Sequence, residues 1–124
     1  MYRTGVRQKL TARHALRGDF GAESVPHSHP YVVEWIIETD KLDENGFATD
    51  ISQMESVLEE VVGTIEDVLL NDLDYFRDRQ PSLENLASYL HAQLRDRMKG
   101  RVRARQKMEI LIWESDTAWA SYVA

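Results

Sequence analysis

Apolar and polar residues alternate at both ends of this chain and recur at helical spacing between them. In residues 6 to 16, Val6, Leu10, Ala12, His14 and Leu16 fall on one side, with Gln8 among them. Arg7, Lys9, Thr11 and Arg13 fall on the other. A period of two with one charged side predicts a half-buried strand. Residues 17 to 26 carry two glycines and a proline and read as a loop. A second strand is expected from about His27 to Thr39. His27, His29, Tyr31, Val33, Trp35 and Ile37 share one of its faces; Val32 and Ile36 lie on the other, between Glu34 and Glu38.

Residues 43 to 46 read as a turn with Asn45 or Gly46 at positive φ. Ile51, Met54, Leu58, Val61, Val62, Ile65 and Leu69 then mark a helix capped by Thr49 or Asp50. Residues 71 to 80 read as a polar loop. A second helix is expected from Pro81 and Ser82, with Leu83, Leu86, Leu90 and Leu94 as its buried stripe and Gly100 suited to its end. Beyond it Val102, Ala104, Met108, Ile110 and Ile112 share a face, opposite Leu111 and Trp113. Ser115 and Asp116 turn the chain into a last strand, residues 117 to 123. The order β-β-α-α-β-β predicts the α+β class, a four-stranded antiparallel sheet with two helices on one face, as a single domain over residues 1–124. Two edges of such a sheet stay open and invite pairing with another copy. A homo-oligomer closed into a ring is therefore expected.

Composition narrows this little. The 124 residues are 43% hydrophobic, enough for a core without staples, and none is cysteine. That removes thiolate ligands and a cysteine nucleophile, and fits a reducing compartment. The first ten residues lack a signal-peptide core, and no stretch is long enough to span a bilayer, so a cytoplasmic location is expected. A net charge of -6 argues against general affinity for nucleic acid. Basic residues gather between Arg95 and Lys107, but no aromatic residues interleave with them, so this is read as a solvated helix end and strand face.

The candidate chemistry lies in three histidines. On a strand, His27 and His29 project together, and His14 sits on an earlier alternating face. Three imidazoles with one open position are a usual way to hold a catalytic zinc, although imidazole suits iron and nickel as well. From the residues alone the alternative stays open that these are histidines on apolar faces satisfied by other partners. His91, among polar neighbours on the second helix, reads as structural or surface.

Several stretches carry a further signal. Thr11 to His14 resembles a first strand ending in a zinc histidine, and His27-Ser-His29-Pro-Tyr31 resembles a His-Gly-His-aromatic signature. Gly46 to Asp50 resembles a Gly-x-x-x-Asp helix entry, and Leu70-Asn71-Asp72 a Leu-Asn-Asp run. Pro81 to Asn85 resembles a Pro-Thr-x-Glu-Asn helix start, and Ile112-Trp-Glu114-Ser115 a strand end that grips a pterin. Taken in this order they resemble the 6-pyruvoyltetrahydropterin synthase and 6-carboxytetrahydropterin synthase family across nearly the whole chain. The resemblance implies the tunnelling fold, with subunits in a ring, two rings stacked as a dimer of trimers, and active sites between subunits. It implies zinc on His14, His27 and His29, polarising the side chain at C6 of a pterin, and Glu114 as the anchor of the ring. Ser115, Ser82 and Glu84 follow as further substrate-binding candidates; Ser82 and Glu84 read equally well as helix-cap residues.

The chain departs from the family where protons move. Glu23 stands where family enzymes carry a cysteine, and Glu66-Asp67 where an Asp-His pair is usual. Cysteine and histidine titrate near neutrality, whereas carboxylates do so only when burial or repulsion raises their pKa. The ordinary synthase reaction is therefore in question. A branch with glutamate at this place is associated with cleaving the side chain of dihydroneopterin triphosphate to 6-hydroxymethyl-dihydropterin. The resemblance thus implies a zinc-dependent lyase acting on that or a related dihydropterin, with Glu23 as base and Glu66 and Asp67 as further catalytic candidates. A catalytically inactive zinc- and pterin-binding oligomer is the alternative, and a zinc hydrolase of an unrelated small substrate a third reading.

Overall fold

The computed structural model describes residues 1–102 and 106–124. Four strands form one antiparallel sheet in the order β1-β2-β3-β4: β1 Tyr2–His14, β2 His27–Thr39, β3 Lys107–Trp113 and β4 Trp119–Val123. Helices α1 (Ile51–Gly63) and α2 (Leu83–Arg97) connect β2 to β3. They cover one face, α1 over β1 and α2 over β3 and β4. This is the α+β architecture read from the sequence. Along β2 every second residue from Tyr31 to Thr39 is buried. Trp35, Ile37, Ile110 and Ile112 from the sheet meet Met54, Leu58, Val61, Leu86, Leu90 and Leu94 from the helices in one core.

The helix boundaries have local causes. Asp50 caps α1 by accepting from the Gln53 backbone N–H at 3.3 Å, and Ser82 caps α2 by accepting from that of Asn85 at 3.2 Å. Gly46 takes the positive φ of the turn before α1, and Gly100 takes another past α2. Among the described residues no helix is long and apolar enough to cross a membrane.

Several expectations are corrected. The α1 stripe continues in sequence to Leu69, but the helix ends at Gly63. Thr64 folds its hydroxyl back onto the Val61 carbonyl at 2.6 Å, and the chain then turns through a positive φ at Asp67 to run along the edge of β1. Ile65 stays buried, so the apolar period outlasts the helix. Residues 71–80 are not simply polar: two single 3-10 turns, Leu70–Asp72 and Asp74–Phe76, bring the fully buried Phe76 into the core. β1 begins at Tyr2 and stops at His14 rather than spanning 6 to 16, and β4 starts at Trp119. Of the alternating face read from Val102, residues from Lys107 form β3, while Val102 does not lie in a strand; Ala104, with Arg103 and Arg105 of the basic run, lies outside the described residues. Of the rest of that run, Arg97 pairs with Glu60 and Lys99 with Asp96.

His91 is structural and not a surface residue. It is only 4% exposed, its ring meets Tyr122 edge-on at 4.9 Å, and its Nε2 has no hydrogen-bond partner among the described residues. Burial, and then the charge of Arg95, hold its pKa below the ordinary histidine value. A histidine kept neutral in the fold but free to protonate in the unfolded chain costs stability as pH falls below about 6.5. Urea unfolding across pH should therefore show wild type losing stability more steeply below that pH than His91→Leu; equal slopes would refute it. Phe76→Ala should cost about 3–5 kcal/mol in the same measurement, the range for an aromatic deleted from a closed core.

Candidate metal centre and ligand pocket

The register of β1 on β2 builds the centre. The two strands pair without a bulge from Tyr2 opposite Thr39 to His14 opposite His27. The last pair of the ladder is thus a pair of histidines, whose Nε2 atoms lie 3.0 Å apart. Each ring is oriented from behind by a carbonyl: Nδ1 of His14 lies 3.1 Å from the Pro81 oxygen, and Nδ1 of His27 lies 2.7 Å from the Val25 oxygen. A carbonyl can only accept, so both Nδ1 atoms carry hydrogen and both Nε2 atoms present lone pairs when the rings are neutral. Burial, ahead of the neighbouring charges, holds the His14 pKa below the ordinary value and favours its neutral ring. Two lone pairs face to face at this distance call for a cation between them.

Glu23 supplies negative charge at the same point. Its Oε2 is 3.1 Å from His27 Nε2 and 3.9 Å from His14 Nε2. Among the described residues, His14, Glu23 and His27 form the group whose ligand atoms lie close enough together for one metal ion. His29, the third expected ligand, is outside that group. Its ring stacks on Tyr31 at 4.5 Å, lies 6.0 Å from the His14 ring, and points Nε2 at Glu114, 4.0 Å away. Its Nδ1 is buried with no hydrogen-bond partner among the described residues. Facing lone pairs, an adjacent carboxylate and an orphaned imidazole nitrogen fit a transition-metal ion held by nitrogen and oxygen donors.

The remaining expected residues separate into two regions. Glu114 and Ser115 line a cavity of about 460 Å³ with Lys9, Thr11, Tyr31 and Trp113. That volume is in the range of small-molecule pockets. The cavity borders the histidines through Tyr31, whose hydroxyl is 3.3 Å from His14 Nδ1, and through Glu114, 4.0 Å from His29 Nε2. Burial first, and then the charges of Glu114 and Glu23, push the Tyr31 phenol above its ordinary pKa, so it stays protonated. Ser82 caps α2, and Glu84 stands exposed in that helix's first turn, where its charge suits the dipole. Glu66 accepts from the Thr11 backbone N–H, and the backbone N–H of Asp67 donates to the Thr11 carbonyl, so both sit along the β1 edge. Neither belongs to the histidine group.

Comparison with known proteins identifies the family and the fold. The family model for 6-pyruvoyl tetrahydropterin synthase matches residues 4–124. The chain belongs to the 6-pyruvoyl tetrahydropterin synthase family. Solved members share its fold at low identity. The Caenorhabditis elegans enzyme is 19% identical with a TM-score of 0.83, over 99% of this chain and 95% of that one. The Plasmodium vivax enzyme, solved as a catalytic-residue mutant with cysteine in place of glutamate, is 14% identical with a TM-score of 0.81, over 99% and 97%. The Plasmodium falciparum enzyme is 17% identical with a TM-score of 0.77, over 99% and 97%. No curated protein matches the chain by sequence. The family's sheet and helices are those described above, so the tunnelling fold read from the motifs is the fold of this chain.

Sequence reasoning missed the supports of the centre. Asn71 grips residue 15 from across the loop, donating to its carbonyl and accepting from its N–H, both at 2.9 Å. Gln80 does the same for Arg17. Together they tie the segment after His14 to the segment that ends in Pro81. The Leu-Asn-Asp run marks Asn71 as notable, but no spacing rule says that its amide reaches residue 15. Asn71→Ala leaves two backbone groups of Ala15 unpaired and should cost about 1–3 kcal/mol in urea unfolding. It should also weaken zinc binding measured by chelator competition, because the His14 ring is set by the same clamp.

Proposed function

We propose that the protein is a zinc-dependent lyase acting on dihydroneopterin triphosphate or a related dihydropterin, working in the cytoplasm. One observation carries this reading: the Nε2 lone pairs of His14 and His27, 3.0 Å apart, converge with the Glu23 carboxylate. His14 and His27 would hold the ion, with His29 beside them as the third histidine that the family resemblance implies. When bound, zinc supplies a Lewis acid that polarises oxygens on the substrate side chain.

The chain's own groups do the rest. Glu114 accepts hydrogen bonds from the N3–H and 2-amino edge of the pterin, and so orients the side chain toward the histidines. Tyr31 and Trp113 supply flat apolar surface to the same cavity. Glu23, beside His27 Nε2, takes the proton from the C2′ hydroxyl as the C1′–C2′ bond breaks; the two-carbon fragment leaves as an aldehyde carrying the triphosphate, and the electron pair left at C1′ takes up a proton, giving 6-hydroxymethyl-dihydropterin. A glutamate described as the catalytic residue of the Plasmodium vivax relative supports this role. Ser115 lies at the cavity wall as a further contact to the ring.

The working unit would be a trimer or a dimer of trimers. β1 and β4 are the sheet edges, and β4 exposes Trp119, Tyr122 and Val123. Ser82, Glu84, Glu66 and Asp67 would then bear on a neighbouring subunit's site, Glu66 and Asp67 from the outer edge of β1.

The test is turnover of dihydroneopterin triphosphate by the zinc-loaded protein, followed by fluorescence and mass. Glu23→Gln should lower kcat by about 10²–10⁴, the usual contribution of a positioned base. Glu114→Ala should weaken pterin binding about 10- to 100-fold, the loss expected for hydrogen bonds to a charged acceptor. Tight pterin binding without turnover would replace the lyase by a storage or sensing ring. No pterin binding, with Glu114→Ala without effect, would overturn both.

A further inference from the structure

We infer that Arg7, Glu34 and Trp113 form a relay across three strands that fixes the Trp113 indole as one wall of the cavity, with Glu34 as its positioning residue. The relay itself rests on no pterin; the kind of ligand it selects rests on the pterin reading above. Arg7 and Trp113 line the cavity, and Glu34 stands behind them without lining it. The Glu34 side chain is only 15% exposed, and one oxygen, Oε1, takes both neighbours. Nη2 of Arg7 lies 2.6 Å from it, and the Trp113 Nε1–H donates to it at 2.9 Å. Strand register sets the meeting: Arg7 stands opposite Glu34, and Trp113 stands opposite Val32, two residues earlier on β2. An ionised acceptor makes the shorter, stronger kind of hydrogen bond, and Arg7 compensates the charge that Glu34 carries out of water.

The other two tryptophans are held differently. Among the described residues the Trp35 indole nitrogen is buried without a hydrogen-bond partner, and Trp119 is 51% exposed. Trp119 flanks Trp113 across the β3–β4 ladder, with ring centroids 6.1 Å apart. Val32 flanks it from β2. An indole held at its nitrogen and flanked on both sides has given up its rotamers before a ligand arrives, so binding does not have to order it. Trp113 is also next in the chain to Glu114, and both line the same cavity. Glu114 meets the polar edge of a bound ring, and Trp113 meets a face. A fixed indole stacks well on a flat heteroaromatic ring and fits a puckered one poorly. Trp113 thereby sets a preference for flat ligands, and Glu34 acts through it.

The first measurement needs no ligand. Nitrogen-15 NMR resolves the three indole N–H signals, and Trp113→Phe identifies the one from Trp113. Glu34→Ala should speed exchange of that hydrogen with water at least about tenfold, and Glu34→Gln, which keeps an oxygen acceptor, should do so less. Circular dichroism of each variant checks folding. Calorimetry then gives the Kd of neopterin, a flat pterin, and of tetrahydropterin, whose reduced ring is puckered. Wild type should prefer neopterin. Trp113→Leu and Glu34→Ala should each weaken neopterin binding about three- to tenfold and bring that preference toward one, and Glu34→Gln should recover part of it. In turnover of dihydroneopterin triphosphate, Glu34→Ala should raise KM with kcat held within about twofold. Unchanged exchange and unchanged affinity in folded Glu34→Ala would overturn the relay, as would an equal loss of affinity for both pterins. A wild type that binds neither pterin, with the exchange results as expected, would remove the pterin reading and leave the relay standing.

Discussion

The antiparallel pairing of β1 with β2 is the constraint on which the rest depends. Because side chains alternate along a strand, a slip of one residue would turn His14 away from His27 and carry every core residue of β2 to the opposite face. The register is held by burial: Leu10, Ala12, Tyr31, Val33, Trp35 and Ile37 enter the core only in this alignment. The energy that packs the core therefore also sets the spacing of two imidazole nitrogens at the far end of the ladder. The site spends no binding energy on bringing those rings together, because folding has already done so.

What the strands cannot do is choose which nitrogen of each ring faces in. That choice falls to two loop carbonyls, of Val25 and of Pro81. Val25 belongs to the segment that brings Glu23, and Pro81 stands just before the Ser82 cap of α2. Each ring is thus fixed by a different part of the chain, and the second depends on the Asn71 and Gln80 clamps. An outer partner that sets tautomer and direction is as much a part of a metal site as the ligand atom itself.

The fold was legible because its strands are amphipathic in the simplest way. From β2 the burial face could be read residue by residue, and α2 came with a cap, a leucine stripe and a terminal glycine. Reading failed where one signal served two structures. Ile65 keeps the α1 period but reaches the core from a turn, and Phe76 reaches it from a stretch whose other residues are mostly charged. The histidines and Glu23 were visible as residue types at suggestive places. Their mutual geometry was not, because the approach of Glu23 to His27 depends on a single 3-10 turn and on a long-range backbone bond to Leu16.

A carboxylate at position 23 has a physical consequence for how this site can work. A thiol and an imidazole have ordinary pKa values near neutrality, and a carboxylate does not. A carboxylate needs its surroundings to make it basic, and Glu23 has half its side chain in water. When the rings of His14 and His27 are neutral, their lone pairs offer it no hydrogen to accept. A carboxylate in that position gains only when positive charge sits between it and the rings, and loses that partner whenever it turns to take a proton.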